Sequence, residues 1–259
     1  MHVDEIVAGA NATNVAANWE DAHRYTPSCK HRRRLVLDWL KPLQFTDCLD
    51  AGCAQAFLLQ AIVQRFGVAG FGCDMSDEVI ARNRLAQPDC SFEVVDLVRD
   101  AWPGGRQFDL VVCSEVLEHL PDWRPAVGHL TRMSRKELLI TVPSGKVRTV
   151  DRLLGHNSHF AGPELIAEIE SHGFTVLRRA YWGFPFHSFY KVLISRLSPA
   201  RLYESFAGGR PYGPGKKLVA KALDLLFYAN DLFPCGCLLL VHARPPRPAD
   251  AAPSHGSPT

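Results

Sequence analysis

The sequence predicts an α/β fold, a doubly wound parallel sheet with helices on both faces. Three observations carry that expectation. Apolar runs of five to seven residues alternate with helical patterns from residue 45 onward. Carboxylates close the successive runs, at Asp50, Asp74 and Asp96. The first run leads through Asp50 into the small residues Gly52, Ala54 and Ala56, where the backbone can approach a ligand, and then into a helix.

Residues 1–44 read as an N-terminal helical arm. Its first 22 residues are polar and weakly patterned, a loose arm or an initial helix. A helix is expected from Pro27-Ser28, docking through Leu35–Leu40. The cluster Arg32, Arg33, Arg34 reads as a solvated helix face. Residues 45–182 form the cofactor-binding core. Its expected strands are Phe45–Leu49, Val68–Cys73, Ser91–Val95, Phe108–Cys113, Lys136–Val142 and Phe174–Tyr181. Its expected helices are Gln55–Phe66, Asp77–Leu85, Asp122–Met133 and Pro163–His172. Residues 183–234 break the rhythm with Gly, Pro and aromatics, then give a helical pattern over Lys216–Phe227 with Leu218, Val219, Ala222, Leu223 and Leu226 at helical spacing. Residues 235–243 are the last strand, with Cys235 and Cys237 on one face. Residues 244–259, rich in Pro, Ala and Ser, read as a disordered tail.

Composition narrows the class. The 259 residues are 47% hydrophobic and 22% charged, with a net charge of +2, an ordinary globular balance that does not call for nucleic acid. No stretch has the pattern of a secretory signal or the length of a membrane span, which points to the cytoplasm. The eight cysteines form no Cys-x-x-Cys pair and read as reduced thiols, several of them buried.

The acid series addresses the cofactor. A carboxylate 24 residues after Asp50, at Asp74, can accept from both ribose hydroxyls, and Asp96 can accept from an exocyclic amine. A dinucleotide site asks for a third glycine, where this chain has Phe57, and no phosphate-cradling Gly-Lys-Ser/Thr is present. Acids around the turn repel phosphates. A cationic, phosphate-free adenine nucleoside fits better, and a nicotinamide-dependent oxidoreductase fits less well.

Leu49-Asp50-Ala51-Gly52-Cys53-Ala54, Gly72-Cys73-Asp74-Met75-Ser76, Val95-Asp96-Leu97 and Phe108 through Leu120 resemble, in order, the motifs of class I S-adenosylmethionine-dependent methyltransferases. The resemblance implies a Rossmann-like seven-stranded sheet. Its last strand lies antiparallel beside the sixth, preceded by an inserted helical cap segment. It implies that Asp50, Gly52, Cys53 and Ala54 approach the methionine moiety of S-adenosyl-L-methionine, that Asp74 binds ribose and Asp96 the adenine amine, that Met75 and Leu97 flank the ring, and that Ser114 lies at the sulfonium end. Ala54 and Ala56 stand where that family often has glycine, so a catalytically inactive S-adenosylmethionine-binding partner protein is the alternative to an enzyme.

On the acceptor side, Glu115, Glu118 and His119 share one face if a helical turn begins at Glu115. The same spelling occurs in ubiquinone-biosynthesis O-methyltransferases, where it is associated with a divalent cation. In this chain metal binding, a role for His119 as base, and a structural role all stay open. His156 and His159 are expected to line the substrate pocket, with Phe186 and Tyr190 from the inserted segment. Residues 183–231 hold seven basic and three acidic residues, so the segment suits an apolar, lipid-linked or anionic small-molecule acceptor, or peripheral contact with a membrane.

Overall fold

A computed structural model describes residues 23–197 and 212–246. The expectations for residues 1–22, for residues 198–211 of the inserted segment and for most of the tail lie outside the described residues. Seven strands are present: β1 (Asp47–Ala51), β2 (Ala69–Asp74), β3 (Ser91–Val94), β4 (Phe108–Ser114), β5 (Ser134–Pro143), β6 (Thr175–Trp182) and β7 (Leu238–Arg244). They form one sheet in the order β3-β2-β1-β4-β5-β7-β6. The pairings from β3 to β5 are parallel, and β7 runs antiparallel between β5 and β6. The chain reverses its direction of winding between β1 and β4, so ligands belong at the carboxyl ends of those strands. The central strands β1, β4 and β7 are buried along nearly their whole length, which is why they read as continuous apolar runs. β6 is an edge strand on which Arg178 and Arg179 are exposed, the Arg178 guanidinium lying 4.0 Å over the Trp39 ring.

The helices are α1 (Pro27–Leu40), α2 (Phe57–Phe66), α3 (Asp77–Ala86), α4 (Arg124–Met133), α5 (Thr149–Leu153), α6 (Gly162–Ser171), α7 (Phe186–Ile194) and α8 (Pro214–Phe227). One core lies between the sheet and α4 and α6, with Val127, Leu130, Leu165 and Ile169 fully buried. The opposite core takes Val36, Trp39 and Leu40 of α1 together with Phe227 of α8. At the amino ends of the strands, buried Asp109 accepts from the backbone and hydroxyl of Thr46 and pairs with Arg135 and Lys136. These donors hold its carboxyl well below the usual carboxylate range. Asp109 therefore fastens the floor of the sheet, opposite the ligand edge.

Three expectations change. The arginine cluster on α1 is not simply solvated. Arg34 donates to Asp231 at 2.8 Å, Lys30 pairs with Asp224 of α8, and Arg32 turns toward β4. In α8, Leu218 is 70% exposed and Val219, Leu225 and Leu226 are also exposed, while Ala220, Leu223 and Phe227 meet the core. Apolar residues lie on both sides of this helix, so spacing alone selects the wrong face. The last strand starts at Leu238, which leaves Cys235 exposed and Cys237 part-buried before it. All eight cysteines are free thiols. Among the described residues no helix is long and apolar enough to cross a membrane.

Candidate active site

The turn after β1 is built by backbone geometry. Gly52 and Cys53 donate their N–H groups to the Cys73 carbonyl, each at 2.8 Å, tying the turn to β2. Gly52 has φ +77°, and a Cβ there would lie 2.4 Å from Val116 Cγ2, so any side chain would be strained and would displace Val116. Ala54 and Ala56 have φ of 43° and 56°. They occupy the left-handed conformation that favours glycine, at a cost of roughly 1–2 kcal/mol each. Two contacts hold the turn against that strain. Asp74 Oδ2 accepts from Ala54 N at 3.0 Å, and buried Asn83 of α3 donates to the Ala54 carbonyl at 2.7 Å.

Asp74 ends β2, and its Oδ1 accepts from Ser76 N at 3.0 Å. A carboxylate offers about four acceptor positions, so two remain for hydroxyls. Asp96 accepts from Val98 N at 3.0 Å and stays part-exposed. Of the two apolar neighbours, Met75 is 70% exposed at the rim. Leu97 is 5% exposed, its side chain in the main core and its carbonyl bonded to His129. Ser114, at the end of β4, shares a hydrogen bond of 2.8 Å with Thr141. Asp50 is buried, and burial with the neighbouring Asp74 charge pushes its carboxyl up to about 7.

A pocket of about 330 Å³ opens beside this turn. Asp50, Gly52, Cys53, Ala54 and Ser114 form one wall, and His119, His156, Tyr190 and Lys191 form part of another. Leu58, Val150, Leu154 and Ile194 make it largely apolar. Asp74, Met75, Asp96 and Leu97 lie outside this lining, on the neighbouring strand ends. His159 and Phe186 also lie outside it. His159 stands behind His156, its Nε2 3.2 Å from His156 Nδ1 and 3.6 Å from Asp151. Phe186 packs against the core that holds Trp182 and Phe227.

Residues that spacing did not single out complete the pocket. Arg32 reaches in from α1 and lies 3.4 Å from Glu115. Lys191 of α7 pairs with Asp151 at 2.8 Å. His187 lies between Ser28 and Cys237, at 3.0 and 3.5 Å, and burial pushes its imidazole down to about 3. These contacts join positions more than 35 residues apart, so no local motif announces them.

The expected helical face at Glu115 does not form. Glu115 has φ 58°, and the helical turn is a short 3-10 segment, Leu117–His119. Glu115 therefore turns to Arg32, and His156 takes its place beside Glu118 and His119. One ligand atom from each of these three lies within 4.8 Å of the others, a donor set that suits a divalent cation. Glu118 is fully buried, with neither carboxylate oxygen bonded. Burial, and next the Glu115 charge, raise its pKa well above the usual range. His156 is pushed down to about 3 by burial and by the neighbouring His119, so it is neutral at neutral pH. His119 Nδ1 lies 3.2 Å from the Gly155 carbonyl. A carbonyl only accepts, so Nδ1 carries the proton and Nε2 is left as an acceptor.

The methyltransferase-domain family model matches residues 21–179, more than half of the chain. A ubiquinone biosynthesis O-methyltransferase of Pseudomonas paraeruginosa is 38% identical over 80 residues, 29% of this chain. The match spans 33% of that relative's length. Among solved structures, a sarcosine dimethylglycine methyltransferase described from Galdieria sulphuraria superposes with a TM-score of 0.57 at 11% identity, covering 83% of this chain and 86% of that one. The magnesium protoporphyrin IX methyltransferase of Synechocystis, solved with bound S-adenosylmethionine, gives 0.50 at 15% identity, covering 83% and 80%. At these identities the structural likeness speaks to the fold.

Proposed function

The chain belongs to the methyltransferase-domain family, and from that premise we propose that it moves the methyl group of S-adenosylmethionine to an oxygen of a small-molecule acceptor. The observation that carries this reading is His119. Its imidazole lines the pocket beside the acid-rich turn, in the tautomer that leaves Nε2 free to take a proton. The cofactor supplies a methyl group on a positively charged sulfur, a good leaving group, so the protein's task is alignment and proton removal.

Asp74 takes the ribose hydroxyls and Asp96 the adenine amine. Gly52, Cys53 and Ala54 give backbone approach to the amino-acid end, with Arg32 at hand for its carboxylate. Asp50 and Glu115 place negative charge near the cationic centre. The acceptor lies against Val150, Leu154, Tyr190 and Ile194, with its reacting oxygen toward His119. The apolar wall and the name of the ubiquinone-pathway relatives favour an acceptor with a lipid-like part.

Calorimetry with S-adenosylhomocysteine, then transfer assays on small phenols and lipid extracts, tests the reading. Turnover that falls about 10²- to 10⁴-fold in His119→Ala, with S-adenosylhomocysteine affinity kept, is expected. Binding with no turnover on any acceptor would favour a non-catalytic binder. No binding at all would overturn both.

A further inference from the structure

His119 is held by a loop distant in sequence. Gly155 accepts from its Nδ1 at 3.2 Å. Asn157 then makes two more bonds to the same turn: its side-chain Nδ2 donates to the His119 carbonyl at 2.7 Å, and its backbone N–H donates to the Glu118 carbonyl at 2.8 Å. Gly155 itself has φ +82°, and its N–H donates to the Arg152 carbonyl at 3.0 Å, which ties the loop to the end of α5. The clamped turn is a single 3-10 segment, Leu117–His119, entered through Glu115 at positive φ. Such a short turn has few bonds of its own to fix an exposed imidazole.

We infer that Asn157 is a positioning residue for methyl transfer: it locks the Glu118–His119 turn so that His119 keeps its proton on Nδ1 and presents Nε2 to the acceptor. The inference rests on the reading of His119 as base. Asn157 lies outside the pocket lining. It acts by keeping the Gly155 carbonyl opposite Nδ1, because both of its bonds fix the turn that carries the imidazole. The neighbouring His156 lies edge-on to His119, with ring centroids 4.9 Å apart. It packs against the ring without offering a carbonyl to define the tautomer, so that definition falls to the Gly155–Asn157 segment.

Nitrogen-15 NMR of the imidazoles tests the lock without any acceptor. In the wild type the His119 signals are expected to show a single Nδ1–H tautomer. In Asn157→Ala, and in the isosteric Asn157→Asp, which puts a charged acceptor where the Nδ2 donor faced the His119 carbonyl, a tautomer mixture is expected. Turnover on a phenolic acceptor is expected to fall roughly tenfold, with S-adenosylhomocysteine affinity unchanged. Added to His119→Ala, Asn157→Ala is expected to cost nothing further, since residues that act as a unit are not additive. Unchanged tautomer signals in both Asn157 variants would overturn the inference. So would a full tenfold loss in the His119→Ala background. If His119→Ala alone keeps wild-type turnover, the base reading fails instead.

Discussion

The two halves of the ligand edge are built in opposite ways. On the β1–β2–β3 side, Asp74 and Asp96 are part-exposed and accept from backbone groups two residues on, and Asp74 also accepts from Ala54 in the turn of the neighbouring strand β1. On the β4–β5 side, Glu118, Asp151 and His159 are buried and meet partners from remote loops and from α7, or none at all. The first half is a local motif repeated along a sheet. The second is a tertiary network, closed only when residues 145–160 and α7 pack together. The difference predicts that substitutions on the first side affect cofactor binding with modest effects on stability. Those on the second affect stability or turnover and spare the cofactor.

The largest expected effect is on the network side. Lys191→Met leaves buried Asp151 without its cation, and a thermal melt is expected to report a loss of about 3–5 kcal/mol. A loss below 1 kcal/mol would show that the network is not coupled to folding. Next, Asp74→Ala removes an acceptor for hydroxyls and the anchor of Ala54. S-adenosylhomocysteine binding is expected to weaken by roughly 100-fold, the size of two charge-assisted hydrogen bonds, with the melting temperature little changed.

Asp50 belongs to both halves. Its folded-state pKa of about 7 lies above the usual carboxylate range, so the folded chain holds this proton more tightly than the unfolded one. Its contribution to stability is present below about pH 4 and declines as pH rises through 7. Asp50→Asn should therefore melt higher than wild type at pH 8, by about 5 °C, and equally at pH 4. It should also lose cofactor affinity, because a cationic ligand favours the ionised form. Equal melting at both pH values would remove the burial argument. The smallest effect is at Ala56. Ala56→Gly relieves a left-handed alanine at a buried position and is expected to stabilise the fold by up to about 1 kcal/mol, read from a denaturant midpoint.

The same contrast explains what could be read without coordinates. The strands and the acid series were legible because they are encoded by period and by strand-end position, and β1 to β4 fall within two residues of where the pattern puts them. Ala54 and Ala56 looked like a departure from glycine, but the backbone takes the glycine-like conformation anyway, held by Asp74 and Asn83. The β4–β5 side was legible only as a set of residue types. Glu115, Glu118 and His119 suggested a helical face, and the left-handed backbone at Glu115 breaks it. Arg32 enters the pocket from a helix whose local pattern says only that it is basic, and Lys191 from one that is otherwise mostly apolar and aromatic. The resemblance implied that Leu97 flanks the adenine ring, and its side chain lies in the core. Tertiary contacts of this kind leave no trace in local spacing.

The separation of the two halves is tested most directly by titrating S-adenosylhomocysteine into wild type, Asp74→Ala and His119→Ala under one set of conditions. Wild type and His119→Ala are expected to bind with the same affinity and Asp74→Ala roughly 100-fold more weakly. Wild-type affinity in Asp74→Ala, or a comparable loss in His119→Ala, would contradict the account.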